Sequence, residues 1–218
     1  MTFSSLMDAL LGFLFPDRCV GCRRSGALFC PTCRAALRPY PLDDPPPGLD
    51  AMLVPWLYEG ALRQAIHRMK YRSQRRMAAP LGDLLAAQLR HHPQPADAII
   101  PVPLHTTRLA ERGFNQSTEL AARIARATGI PLVSGLERCR DTGHQAQLGR
   151  RERQQNIAAA FVWTVYAPPP ARVLLVDDVL TTGATLVACA DALRAVGTQE
   201  VRAVALARSL APAQKMIQ

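Results

Sequence analysis

Val173-Leu174-Leu175-Val176-Asp177-Asp178-Val179-Leu180-Thr181-Thr182-Gly183-Ala184-Thr185-Leu186 is the stretch from which the rest of the chain can be read. It opens as an apolar run, Val173 to Val176, rich in β-branched residues. A short, bounded run of this kind predicts a buried strand. Two adjacent carboxylates follow, Asp177 and Asp178, and then a hydroxyl-rich turn from Thr181 to Thr185. After the turn Leu186, Cys189, Ala190, Leu193 and Val196 recur at helical spacing until Gly197 stops the run. Backbone N–H groups at a helix start are unpaired and carry the positive end of the dipole, so they attract phosphate. The hydroxyls of Thr181, Thr182 and Thr185 can donate to phosphate oxygens. Gly183 lets the backbone approach closely, with Ala184 in the same cradle. Asp177 and Asp178 can accept hydrogen bonds from ribose hydroxyls. Together these residue types describe a site for a phosphorylated sugar.

The stretch resembles the phosphoribosyl-pyrophosphate (PRPP) signature of type I phosphoribosyltransferases. Four apolar residues, two acids and a T-T-G-x-T turn make a longer match than a lone glycine motif. The competing reading is a strand–turn–helix with no ligand. Phosphate binding and catalysis are separate inferences, and only the first follows from these residue types.

With 218 residues the chain fits one domain and a small appendage. At 49% hydrophobic and 20% charged residues it can bury a sizeable core. Its net charge of +9 suits polyanions such as nucleic acid, or phosphorylated small molecules, although arginine-rich usage in general also explains it. No apolar run approaches the ~20 residues needed to span a bilayer. Leu6 to Phe15 is apolar but contains Asp8 and leads into Pro16-Asp17-Arg18, so residues 1–18 read as a docking helix and not a signal peptide. The expected compartment is the cytoplasm, where paired cysteines favour metal over disulfide.

Cys19-x-x-Cys22 and Cys30-x-x-Cys33 form two knuckles seven residues apart. Four thiolates at this spacing predict one tetrahedral zinc ion, structural because four cysteines leave no position open for substrate. Gly21 and Pro31 suit the tight turns and Gly26 a compact hairpin. Redox C-x-x-C chemistry is the alternative, but two copies so close together and outside a βαβ unit argue against it.

The layout expected is an N-terminal helix and ribbon (1–38), a proline-rich linker (39–50), a main domain (51–210) and a tail (211–218). Strands are expected at Ala51 to Tyr58 (interrupted by Pro55, hence at an edge), Asp97 to Val102, Pro131 to Val133, Phe161 to Val165 and Val201 to Ala207. Helices are expected after Gly60, from Pro80 to Leu89, and around Leu120 and Ile124. Cations crowd the stretch from Arg63 to Arg76, with a solvated helix face as the default and a phosphate-facing surface as the alternative. In an open α/β sheet the ligand crevice is built by loops after the carboxyl ends of the strands. Pro101-Val102-Pro103 and Arg112-Gly113-Phe114-Asn115-Gln116 lie in such a loop, where Arg108 and Arg112 could clamp pyrophosphate. The polar segment from Arg138 to Asn156 is a flap, a partner-binding hairpin or a plain surface loop.

Taken together, the cysteine ribbon, P-V-P with R-G-F-N-Q, T-x-x-Q-x-x-L with R-x-x-N-x-x-x-x-F, and L-L-V-D-D-V-x-T-T-G-A-T resemble the ComF family over nearly the full length. These are competence- and gluconate-utilisation-associated phosphoribosyltransferase-like proteins of bacteria. The resemblance implies an α/β fold of the type I phosphoribosyltransferase kind, a mostly parallel sheet flanked by helices, behind a small zinc ribbon. It also implies association with natural transformation and DNA uptake, with a helicase-like partner in some bacteria. An enzyme of this kind would bind PRPP with Mg²⁺. Asp177 and Asp178 would hold the ribose, Thr181 to Thr185 the 5′-phosphate, and Arg108, Arg112 and Arg138 or Arg140 the leaving pyrophosphate. The alternative is a non-catalytic adaptor for single-stranded DNA or a competence helicase that uses the pocket for a phosphorylated ligand.

Overall fold

The computed structural model describes residues 16–41, 44–139 and 160–210. Residues 1–15 of the expected N-terminal helix, the tail, and all but Arg138 and Cys139 of the polar segment from Arg138 to Asn156 lie outside these residues; Pro16 to Arg18 are not helical, and Arg18 bridges Ser25.

A parallel sheet forms the centre. Strand β6 (Arg172–Leu180) pairs with β7 (Glu200–Arg208) on one side and with β3 (Ala98–Pro101) on the other. Strands β1 (Ala51–Leu53) and β2 (Trp56–Leu57) follow one another along the outer side of β7, broken by Pro55 as expected. Beyond β3 the expected strand at 131–133 is a single parallel bridge, Leu132 to Ile99. A parallel strand covered on both faces needs apolar residues at every position. That is why Val173, Leu174, Leu175 and Val176 are all fully buried.

Successive side chains point to opposite faces, so two clusters form. Leu174, Val176, Val204 and Leu206 face helices α2 (Gly60–Met69), α3 (Ala78–His91) and α5 (Gln116–Thr128). Val173, Leu175, Ala203 and Ala205 face α6 (Ala184–Arg194). Each buried Leu or Ile contributes about 1.5–3 kcal/mol of transfer free energy. A separate antiparallel pair, β4 (Leu136–Arg138) with β5 (Phe161–Trp163), stands outside the main sheet.

The ribbon, which ends in the short helix α1 (Pro31–Ala35), is not a bead on a string. Val20 and Phe29 are fully buried in the same cluster as Leu62, Ile66 and Met69 of α2. Gly21 explains how the two meet, since a Cβ there would lie 2.9 Å from Ala61 Cβ and 2.8 Å from Cys33 Sγ. The segment expected as a linker is packed on the domain as well. Tyr40 is buried beneath the Arg208 guanidinium, and Asp50 accepts from Arg194 Nη2 at 2.6 Å and from Val201 N at 2.7 Å. Pro46 reaches the Gly183 turn. Proline stiffness here shapes a strap along the surface and not a spacer.

Candidate functional site

The site arises where two neighbouring strands end at different heights. Pairing of β6 with β3 stops at Val176 opposite Pro101, and Val102 N still reaches Val176 O at 2.9 Å. Pairing with β7 continues, through Asp177 opposite Ala205, to Leu180 opposite Arg208. The acids expected to follow the strand are therefore inside it, and β6 is longer than its apolar run. On the β3 side they border an opening. The chain also reverses direction here, because β3 leads outward to Leu132 whereas β6 lies on its other flank. Such a switch point is where open α/β sheets bind ligands.

The two carboxylates have different surroundings. Asp178 is buried, with its side chain only 7% exposed, and shares a face with Leu174 and Val176. Lys70, the C-cap of α2, places Nζ 2.9 Å from Asp178 Oδ2. Asp177 points to the α6 face. Its Oδ1 accepts from Ser117 Oγ at 3.0 Å and from Asp178 N at 2.8 Å. Burial, and then the charge of Asp178, push its carboxyl up to about 7. The Asp178 and Ser117 donors and the Lys70 charge act the other way. Behind it, burial and the Asp177 charge hold the Cys189 thiol well above its ordinary range, so this cysteine is an inert core residue.

Ser117 is set by Asn115, the N-cap of α5. The Asn115 side chain accepts from Ser117 N at 2.9 Å and donates to Val102 O at 2.9 Å. One amide side chain thus ties the end of β3 to the first turn of α5. Thr181 and Thr182 are exposed, Thr185 is half-buried and Gly183 is buried. Gly183 is the N-cap of α6, at φ +83°, with no side-chain cap. Thr182 Oγ1 accepts from Ala184 N at 3.4 Å, which holds one hydroxyl at the helix start.

Arg108 and Arg112 lie on a short helix, α4 (Thr106–Arg112), where an irregular loop was expected. His105 Nδ1 accepts from Thr107 N at its start, and Gly113 at φ +76° ends it. Both arginines are half-buried. Arg112 Nη1 donates to Gln116 Oε1 at 2.6 Å, one residue from Ser117. No hydrogen bond or ion pair joins Arg108 to the carboxylates among the described residues. Arg138 stacks over Phe161 with its guanidinium 5.6 Å from the ring.

Sequence reasoning named the two acids and the turn but gave no role to Lys70, Ser117 or Asn115. Lys70 was hidden in the basic stretch. Arg63, His67, Arg75 and Arg76 are exposed as a solvated face requires, with Arg75 and Arg76 paired to Glu119 and Asp17 at the surface, while Lys70 turns inward to the buried Asp178. The signal for Ser117 was an Asn-x-Ser start to a helix whose first turn faces the strand ends.

The four cysteine Sγ atoms of Cys19, Cys22, Cys30 and Cys33 lie within 4.8 Å of one another. Tetrahedral thiolates around zinc sit about 3.8 Å apart, given Zn–S of about 2.3 Å. The Cys22 and Cys30 sulfurs are 3.7 Å apart. Cys30 N and Cys33 N point at Cys19 Sγ and Cys30 Sγ at 3.4 and 3.5 Å, which orients the ligands. The donor set fits a metal ion such as zinc.

A phosphoribosyl transferase domain family model matches residues 85–216. The chain is 33% identical over 206 residues to competence protein F of Haemophilus influenzae, covering 88% of this chain and 90% of that one. It is 33% identical over 176 residues to the DNA utilization protein YhgH of Escherichia coli K12, covering 78% and 76%. Among solved structures, the PRPP amidotransferase from B. subtilis matches 59% of this chain at 25% identity and a TM-score of 0.43, and the chain spans 26% of that enzyme's length. A purine phosphoribosyltransferase from Pyrococcus horikoshii matches 60% of this chain and 72% of its own, at 21% identity and a TM-score of 0.38. The family match over residues 85–216 makes this a phosphoribosyltransferase-domain protein, with an acidic pair at the switch point of its parallel sheet. Within that class the chain belongs to the competence protein F (ComF) family. No helix among the described residues is long and apolar enough to cross a membrane.

Proposed function

We propose that the protein binds PRPP at the Asp177–Thr185 crevice and transfers its phosphoribosyl group to a nitrogenous acceptor in the service of DNA uptake or use. The observation that carries this reading is the convergence of three features at one switch point: the acidic pair, the Ser117 hydroxyl that holds Asp177, and the glycine-opened helix start behind Thr181 and Thr182. Ribose hydroxyls would donate to Asp177 and Asp178. The 5′-phosphate would sit on the Thr181–Thr185 turn. Arg108 and Arg112 would meet the pyrophosphate, with Arg112 turning from Gln116. Mg²⁺ would arrive with PRPP and would offset the charge of the departing pyrophosphate. In the transfer, a bond forms between the acceptor nitrogen and ribose C1 as the C1–O bond breaks. Pyrophosphate leaves with the electron pair, and the acceptor nitrogen gives up its proton. Zinc on the four cysteines would be structural.

The acceptor would enter beside the turn. A cavity of about 460 Å³ lined by Arg38, Tyr58, Glu59, Arg63, Arg208 and Ser209 opens at the carboxyl ends of β2 and β7. Arg208 is the strand neighbour of Leu180, one residue before Thr181. Its three arginines against one glutamate suit an acceptor carrying negative charge or several carbonyls.

The DNA context comes from the relatives' names and the net charge of +9. The adaptor reading, with direct contact to single-stranded DNA or a helicase, leans on the same charge. Net charge alone marks no nucleic-acid contact, whereas the acidic pair and the hydroxyl turn meet at one switch point, so we place the phosphoribosyl site first. Release of pyrophosphate from PRPP across a panel of nitrogenous acceptors tests the reading. Turnover with any acceptor supports it. Tight PRPP binding with no turnover, together with salt-sensitive single-strand binding, would favour the adaptor.

A further inference from the structure

The cysteine ribbon and the phosphosugar crevice are joined by one short piece of chain. Helix α2 begins against the ribbon, where Ala61 meets Gly21 so closely that no Cβ fits between them. Along its buried side Leu62, Ile66 and Met69 share a cluster with Val20 and Phe29 of the ribbon. The helix ends at Lys70, whose ammonium stands 2.9 Å from Asp178 Oδ2. Just past the helix, Arg76 returns to the ribbon and pairs with Asp17 through both guanidinium nitrogens, at 3.0 and 3.3 Å. The segment is thus fixed to the ribbon before and after Lys70, and Lys70 is the point at which it touches the acidic pair.

We infer that the ribbon is a positioning device for the crevice, and that it acts through Lys70. Lys70 is the positioning residue for Asp178: its ion pair at 2.9 Å holds one carboxylate oxygen and so fixes which oxygen faces the opening. A buried carboxylate without a cation partner is costly, so loss of the pair favours a different rotamer. A lysine at a helix end carries four rotatable bonds and holds one geometry only if the helix beneath it is held. The fully apolar contact with Val20 and Phe29 provides that hold, and a metal ion on the four thiolates would keep the two knuckles in the shape that presents them. The exposed Asp17–Arg76 pair adds little energy and serves mainly to set register. This gives the ribbon a role within the protein in place of one as a docking module.

The inference rests on the proposed PRPP reading for its functional consequence, but the mechanical link does not. Two perturbations separate the ribbon from α2 without touching the crevice: removal of the thiolate-bound metal by a zinc-selective chelator with Mg²⁺ kept in excess, and Ala61→Leu, which wedges the contact while leaving all four thiols intact. Each is made in the wild-type and Lys70→Met backgrounds. Two readouts are taken, the rate at which an amine-specific reagent labels Lys70, read by mass spectrometry, and the Kd for PRPP. Circular dichroism checks that the chain remains folded. Should chelation unfold it, Ala61→Leu carries the comparison. The expected result is faster labelling of Lys70 and a roughly three- to tenfold weaker Kd in the wild-type background, in the range of coupling through packed elements. In the Lys70→Met background neither perturbation weakens binding further. Unchanged Lys70 labelling would overturn the link. An undiminished loss of affinity in the Lys70→Met background would overturn the role of Lys70. If the unperturbed protein takes no PRPP, the function reading fails, while the labelling arm still decides the link.

Discussion

Ser117 donates its hydroxyl to Asp177 Oδ1 at 3.0 Å across a gap of 60 residues, from the first turn of α5 to the end of β6. This bond favours the ionised carboxylate, so its removal should raise the Asp177 pKa further. Hydrogen bonds to charged groups contribute about 1.5–3 kcal/mol. Ser117→Ala should therefore lower stability by about 1–2 kcal/mol at pH 8, read from urea midpoints, and by less at pH 5, where Asp177 is protonated.

Asp177 also sets a pH dependence. Its ordinary value of 3.8 is raised to about 7 in the folded chain, chiefly by burial. Between those values the folded chain keeps a proton that the unfolded chain has released. The favourable contribution is complete below the unfolded value and is lost as pH rises through the folded one. Asp177→Asn, which cannot ionise, should gain stability relative to wild type from pH 4 to pH 8, followed by thermal melts at each pH. A constant difference across that range would reject the assignment.

Gly183 is the second point of sensitivity. It holds φ +83°, and a Cβ there would lie 3.0 Å from Pro46 Cγ. Leaving the left-handed region to glycine avoids about 1–2 kcal/mol of strain. Gly183→Val should cost at least that in a denaturant melt. It should also weaken phosphate affinity, because the turn and the Pro46 strap must separate.

Cys33 is half-buried, so a serine there loses little packing. Cys33→Ser should nonetheless lower stability by about 3 kcal/mol or more, with loss of bound zinc by elemental analysis, because metal binding and folding are one free energy. Chelated wild type should unfold at the same denaturant concentration as the variant. A variant as stable as the untreated protein would show that the thiolates hold no structural metal.

How much of this was legible in sequence depends on whether a feature is local. The T-T-G-A-T turn, the apolar run and the two knuckles are contiguous patterns with local causes, and each is found where it was expected. The length of β6 was not legible, because it is decided by how far β7 accompanies it beyond the end of β3. Nor was Lys70. Its ion pair with Asp178 joins residues 70 and 178, and nothing in a basic run marks which cation turns inward. The same holds for the prolines of 39–50, whose stiffness is visible but whose packing beside Gly183 is tertiary. Helix α4 escaped notice because Gly113 and Pro103 bracket it as loop signals do, while its exposed residues carry no apolar stripe.

The central claim is that the buried acid paired to Lys70 belongs to a sugar-phosphate site. Isothermal titration of PRPP with Mg²⁺ into the wild-type protein and into Asp178→Asn tests it most directly. The expected result is saturable one-to-one binding by wild type and a loss of at least about tenfold in the variant, equivalent to about 1.4 kcal/mol. Equal affinity in both proteins, or no binding by either, would contradict the account.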